Sequence, residues 1–296
     1  MKSTTQIDLS FARAASLILP PAERWRFVMV GCGGTGSWLA PSIARICRVL
    51  AEQGKEAEAS FIDHDLVEEK NIPRQNFCRA ELGENKARTL AVRFASAWGV
   101  ELEARAERFQ QTHLYGGRLL RQGNLIVIGC VDNAAARVEI SKALKSNNAD
   151  VPHDVWWLDC GNTESAGQVI AGSAAAPKDM RGAFLSRKVC KALPSPALVA
   201  PDLLKPRAEE KARHKLSCAE IQLADAQSIA VNQQVAALAT DYLLRMVWGG
   251  LKRFATHFDL ESGSMRSRYL VPEEIAAAAG CTVEHLCLQT QPRRTA

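Results

Sequence analysis

Six residues, Gly31-Cys32-Gly33-Gly34-Thr35-Gly36, constrain the fold of this chain more than any other stretch. An apolar, β-rich run precedes them (residues 26–31, RFVMVG). A segment of helical spacing follows, residues 37–50, in which Leu39, Ile43, Ile46, Cys47 and Leu50 share one face. Strand, glycine turn and helix in that order open a nucleotide-binding βαβ unit. Glycines let the backbone approach a phosphate or ribose closely, and the helix N-terminus offers free N–H groups with partial positive charge. A second apolar run, residues 59–62, ends at Asp63, with Asp65 two positions on. A carboxylate at that strand end accepts hydrogen bonds from ribose hydroxyls. The glycine motif alone leaves NAD, FAD and ATP open.

The alternation continues. Residues 86–98 read as a helix stopped by Gly99, residues 100–106 as a weaker strand, and residues 124–129 (NLIVIG) as a buried strand. A helix over 133–147 and a strand over 155–159 (VWWLD) follow. Alternating strands and helices imply right-handed crossovers and a mostly parallel, Rossmann-like α/β sheet. After residue 160 the pattern changes. Residues 168–172 form a short strand. Residues 177–216, with five prolines, read as an irregular crossover loop. A long helix is expected over 219–247. The turn signal Glu261-Ser262-Gly263 between residues 253–260 and 265–270 predicts an antiparallel β-hairpin. The expected organisation is an N-terminal extension (1–23), a Rossmann-like nucleotide-binding domain (24–160) and a C-terminal part (161–288). That last part holds a crossover loop (177–217), the long helix and the hairpin. A flexible tail (289–296) follows.

The formal net charge of +5 is too small to argue for nucleic acid by itself. Residues 178–215 hold ten Lys/Arg against four acids, a basic island read as a solvated loop, with nucleic-acid contact as its alternative. The nine cysteines show no regular spacing and no C-x-x-C pair, which points to a reducing cytoplasm and free thiols and predicts no zinc site. No apolar run reaches the ~18–20 residues of a membrane span, and no secretory leader is expected.

Residues 63–75 (DHDLVEEKNIPRQ) narrow the choice of nucleotide. A triphosphate needs cations aimed at it, and Asn71, Arg74, Gln75 and Lys86 supply polar and cationic groups just after the ribose-binding position. Asp132-Asn133 follows the strand 124–129, at the sheet edge where open α/β folds bind ligands, and a carboxylate there suits Mg²⁺. Taken together, G-x-G-G-x-G, D-x-D-x-V-x-x-x-N-x-x-R-Q, the later Lys86 and the Asp132-Asn133 pair resemble the ThiF/MoeB/ubiquitin-activating superfamily. Within it the chain looks most like the ThiF-type proteins of the plasmid-associated PRTRC system. The resemblance covers about residues 24–272 and includes Gly161-Asn162, Gly167-Gln168-Val169 and the hairpin.

The resemblance implies ATP-dependent adenylation of a carboxylate, most specifically the C-terminus of a ubiquitin-like (β-grasp) protein, by a homodimer using ATP and Mg²⁺. Gly31, Gly33, Gly34 and Gly36 would form the nucleotide turn, with Gly33 and Gly34 packed on the nucleotide. Asp63, with Asp65, would hold the ribose. Asn71, Arg74, Gln75 and Lys86 would face the phosphates, and Asp132, beside Asn133, would hold Mg²⁺. Cys218, after Arg213, His214 and Lys215 and before the long helix, is the candidate acyl-accepting nucleophile. Cys190 is a weaker rival, and Cys32, Cys47, Cys78, Cys130 and Cys160 read as packing groups. Arg13 and Arg24 are candidates for completing a partner's ATP site, and His64 is expected to point away from the nucleotide. The alternatives are a tRNA- or small-molecule-directed adenylating enzyme of the same superfamily, or an NAD(P)-dependent oxidoreductase. The oxidoreductase leaves Arg74, Lys86 and Asp132 without a role.

Overall fold

The computed structural model describes residues 9–114, 123–150, 153–206 and 229–287. Its centre is an eight-stranded sheet with strand order β11-β10-β7-β6-β5-β2-β3-β4. The strands β2 (Arg24–Val30), β3 (Glu56–Ile62), β4 (Leu102–Arg105), β5 (Asn124–Gly129) and β6 (Val155–Asn162) run parallel. β7 (Ala166–Gly172), β10 (Arg253–Asp259) and β11 (Ser264–Tyr269) continue the sheet antiparallel. This is the expected α/β architecture with its C-terminal hairpin. Residue 160 lies inside β6, and the sheet runs on past it without a break.

Parallel strands covered on both faces are apolar throughout, and β2 shows the pattern: Phe27 and Met29 face one core, Val28 and Val30 the other. The larger core takes the buried stripes of α2 (Gly34–Glu52), α3 (Lys86–Trp98) and α6 (Ile229–Trp248). The smaller core takes α4 (Ala134–Lys142) with Phe109, Leu114 and Trp157. As expected, α3 stops at Gly99, whose left-handed backbone (φ 60°) caps it.

Two expectations need correction. Residues 9–23 are part of the body of the molecule. After a short turn of helix, α1 (Ser10–Arg13), the strand β1 (Ser16–Leu17) pairs parallel with β9 (Val189–Cys190). β9 in turn pairs with β8 (Phe184–Ser186), giving a three-stranded sheet with Ala15 and Leu17 buried. Residues 177–205, expected to be irregular, are built from short elements. Pro177, Pro196 and Pro201 each stand at the first helical positions of a short turn, α5 (Pro196–Val199) among them, where a missing N–H costs nothing. Those prolines mark helix starts rather than a structureless loop. Residues 219–228 of the expected long helix lie outside the described residues. No helix among the described residues is long and apolar enough to cross a membrane.

Candidate functional site

The strand order reverses between β2 and β5, and a cavity of about 470 Å³ opens at their C-terminal ends. An open α/β sheet offers its ligand site at that switch point. Gly31 makes the turn possible: its φ is +91°, and a Cβ there would lie 2.5 Å from the Cys130 carbonyl oxygen. Gly33, at the N-cap of α2, provides no side-chain cap, so the first turn of the helix presents its N–H groups to the cavity. A Cβ on Gly33 would meet only Gln75 Nε2, at 3.8 Å. Gly34 lines the cavity and also backs onto protein. A methyl group there would overlap the carboxamide of Asn232, so this glycine makes room for protein on one side of the loop.

Asp63 sits at the end of β3 with its side chain only 9% exposed. Its Oδ2 accepts the Cys32 N–H at 2.6 Å and its Oδ1 the Asp65 N–H at 2.9 Å. Burial lifts this carboxyl above its ordinary pKa, while the two N–H bonds and the Lys86 charge pull it back down. Lys86 is the first residue of α3. Asn85, the N-cap, accepts the Arg88 N–H at 3.1 Å and donates its own amide to the carbonyls of Asp63 (2.9 Å) and Asp65 (3.0 Å). That clamp brings Lys86 Nζ to 3.4 Å from Asp65 Oδ2, with the lysine side chain 7% exposed against 52% for the aspartate. Asn85 was not foreseen, although Asn before a helical run is an N-cap signal.

Asn71, Arg74 and Gln75 line the same cavity from a short 3₁₀ segment and the turn after it. Asn71 is buried and its side-chain oxygen accepts the Glu68 N–H at 2.9 Å. Gln75 is buried too, and its Oε1 has no partner among the described residues. Asp132 is exposed after β5, and Asn133 caps α4 by accepting the Ala136 N–H at 2.9 Å. His64 corrects an expectation: it lines the cavity, with Nε2 3.3 Å from Asp65 Oδ1. Asp63, His64 and Asp65 bring ligating atoms within 4.8 Å of one another, and Asp132 stands apart across β2.

Six carboxylates (Asp63, Asp65, Glu68, Glu107, Asp132, Glu139) and four cations (Lys70, Arg74, Lys86, Arg108) line the cavity. An anionic phosphate chain would meet Arg74, Lys86 and the open helix N-terminus, and the carboxylates of the same cavity suit a hard divalent cation.

Cys190 is unsuited to nucleophilic work. It is fully buried, its Sγ donates to the Ala192 carbonyl at 3.1 Å, and burial pushes its pKa up to about 12. Cys32, Cys47 and Cys160 are buried packing groups, Cys78 is exposed, and Cys130 lines the cavity beside Cys160. Cys218 and the basic residues 207–215 lie outside the described residues. Arg24 pairs with Glu56 (3.1 Å) at the opposite end of β2 from the cavity.

The model of the ThiF family matches residues 21–269. The chain belongs to the ThiF family. Ubiquitin-like modifier-activating enzyme 5 of Drosophila melanogaster is 29% identical over 162 residues, which covers 50% of this chain and 37% of that one. Among solved structures, E. coli MccB crystallised with MccA superposes with a TM-score of 0.50 at 16% identity, covering 83% of this chain and 64% of MccB. PaaA gives a TM-score of 0.51 at 17% identity, covering 84% of this chain and 65% of PaaA. This ThiF-family chain therefore spans little more than a third of the curated relatives it matches and under two thirds of those structures.

Proposed function

We propose that this ThiF-family chain binds ATP in the cavity at the ends of β2 and β5 and uses it to adenylate a carboxylate. One observation carries the reading. A buried ribose-type acceptor, Asp63, an uncapped helix N-terminus and the cations Arg74 and Lys86 converge on one cavity of about 470 Å³. A nicotinamide-dependent oxidoreductase leaves Arg74, Lys86 and Asp132 without a role.

In this reading Asp63 accepts the ribose hydroxyls, and the N–H groups of the Gly33–Gly34 turn face the phosphates. Arg74 and Lys86, with Asn71 and Gln75, hold the β- and γ-phosphates. Asp132 would hold a magnesium ion, which when bound would supply positive charge against the phosphates. A substrate carboxylate oxygen attacks the α-phosphorus, the bond to the bridging oxygen breaks, and pyrophosphate leaves. The protein contributes position and charge neutralisation. The substrate we favour is the C-terminal carboxylate of a ubiquitin-like protein, supported by the name of the Drosophila relative, while MccB, crystallised with ATP, supports the choice of nucleotide. Passage of the acyl group to Cys218, action as a homodimer and a PRTRC setting are finer parts of the same proposal.

The test is ATP–pyrophosphate exchange by the full chain, alone and with small β-grasp proteins, with Asp132→Ala as control. Exchange that needs one such protein and disappears in the variant supports the reading. ATP binding without exchange for any carboxylate offered overturns adenylation, and no ATP binding overturns the whole proposal.

A further inference from the structure

Asn232 lies one turn into α6, fully buried on the helix face that otherwise carries Val231, Val235, Leu238 and Ala239 into the larger core. An apolar side chain would satisfy such a position. A buried carboxamide costs stability unless its polar atoms are bonded, so where they bond is informative. Asn232 Oδ1 accepts the amide of Asn162 at 2.6 Å, and Asn162 ends β6 and lines the nucleotide cavity. Asn232 Nδ2 donates to the main-chain carbonyl of Arg74 at 3.4 Å, 158 residues away in sequence. The body of the carboxamide lies against Gly34, in the space a Cβ would fill.

The Arg74 segment is held from α2 as well. Trp38 Nε1 donates to the same Arg74 carbonyl at 3.3 Å, and the Ser37 hydroxyl accepts the Asn76 N–H at 3.0 Å. Asn232 closes this arrangement from the far side. A single side chain therefore touches the glycine loop, the backbone under Arg74 and the cavity-wall residue Asn162.

We infer that Asn232 is a positioning residue for the nucleotide site: it fixes the register of the Arg74 segment against the glycine loop, and through it the place of the Arg74 guanidinium. The inference rests on the proposed ATP-dependent adenylation. Its effect belongs where Arg74 works, on the charge of the departing pyrophosphate, and a displacement of about 1 Å in such a group costs on the order of 10²-fold in rate.

The experiment is a double-mutant cycle on the full chain with Asn232→Ala, Arg74→Ala and both, read by pyrophosphate exchange and by calorimetric binding of ATP. The expected result is a fall in kcat of roughly 10- to 100-fold for Asn232→Ala. The change in KM for ATP is smaller, and there is no further loss when Asn232→Ala is added to Arg74→Ala. Asn162→Ala, at a half-buried position, gives a smaller loss in the same direction and serves where Asn232→Ala folds poorly. Losses that multiply across the cycle, or a loss of folded fraction with normal kcat in what remains, overturn the inference and leave Asn232 a structural residue. A wild type that binds ATP but does not exchange pyrophosphate defeats the adenylation reading alone. The coupling is then read from the ATP Kd across the same cycle. A wild type that binds no ATP defeats both.

Discussion

Arg137 and Asp159 form an ion pair behind the cavity wall, with Nε and Oδ1 3.0 Å apart and both side chains almost wholly buried. Two charges that far from water balance only as a pair. Arg137→Ala leaves the carboxylate of Asp159 in a dry interior, and the expected cost is about 3–5 kcal/mol, measured as a lower midpoint in urea unfolding. Asp159→Asn keeps an acceptor for the guanidinium and is expected to cost less. Equal midpoints for the two variants contradict this account. The pair was not apparent in the sequence, because Asp159 at a strand end and Arg137 on a helix look alike whether they are solvated or joined. Asp63, Arg74, Lys86 and Asp132 were legible for the opposite reason: their spacing from the glycine turn is itself the signal. Asn85, Asn162 and Asn232 carry no such spacing, and only packing shows what their carboxamides hold.

Within the glycine turn, neighbouring positions are expected to respond differently to the same methyl group. Gly31→Ala must place a side chain at φ +91° and 2.5 Å from a carbonyl oxygen, so both Tm and ATP binding should fall. Gly33 has a negative φ (−80°), unlike Gly31, and a Cβ there meets little protein. Gly33→Ala, whose Cβ meets only Gln75 Nε2, is expected to lower Tm less than Gly31→Ala does, while weakening ATP binding. A large drop in Tm for Gly33→Ala contradicts the view that this face of the loop belongs to the ligand. Behind β6, His153 bridges Ser173 Oγ (2.8 Å) and the Asn148 carbonyl (3.1 Å), and burial holds its pKa below the ordinary 6.5. A histidine kept neutral by the fold contributes stability that is complete above the unfolded-state pKa of about 6.5 and is lost as pH falls from there through the lowered folded-state pKa. Thermal unfolding followed from pH 8 to 5 should show that loss, and His153→Gln should flatten it. His257, also lowered by burial and by Arg268, will retain part of the slope. The elements themselves were readable where a period extends far enough, as in α2 and α3. β1 and β9, two residues each, are too short to show any period, and the proline-rich stretch hid its short turns because Pro signals both a break and a start.

Across the whole chain, the nucleotide half and the C-terminal half share one sheet and one core. β6 pairs with β5 on one edge and β7 on the other, and α6 packs on α2, β6 and β7. Tyr242, Leu243 and Met246 of α6 sit in the same apolar cluster as Leu39, Ile43 and Ile46 of α2. A cut after residue 162 would strip β6 of its antiparallel partner and expose the surface of α2 that packs on α6, along with the Gly34 side that Asn232 covers. Apolar surface returned to water costs roughly 25 cal/mol per Å², so roughly 400 Å² of it would cancel a stability of about 10 kcal/mol. The expected outcome is that a fragment of residues 1–162 shows no cooperative thermal transition and binds no ATP. The full chain, by contrast, should unfold in one transition that saturating Mg·ATP shifts upward by linkage, by about 2.7 kcal/mol at a hundred times Kd. Two separate transitions in the full chain, only one of them moved by nucleotide, would show that residues 24–160 form an autonomous domain and that the sheet joins the halves without making them cooperative.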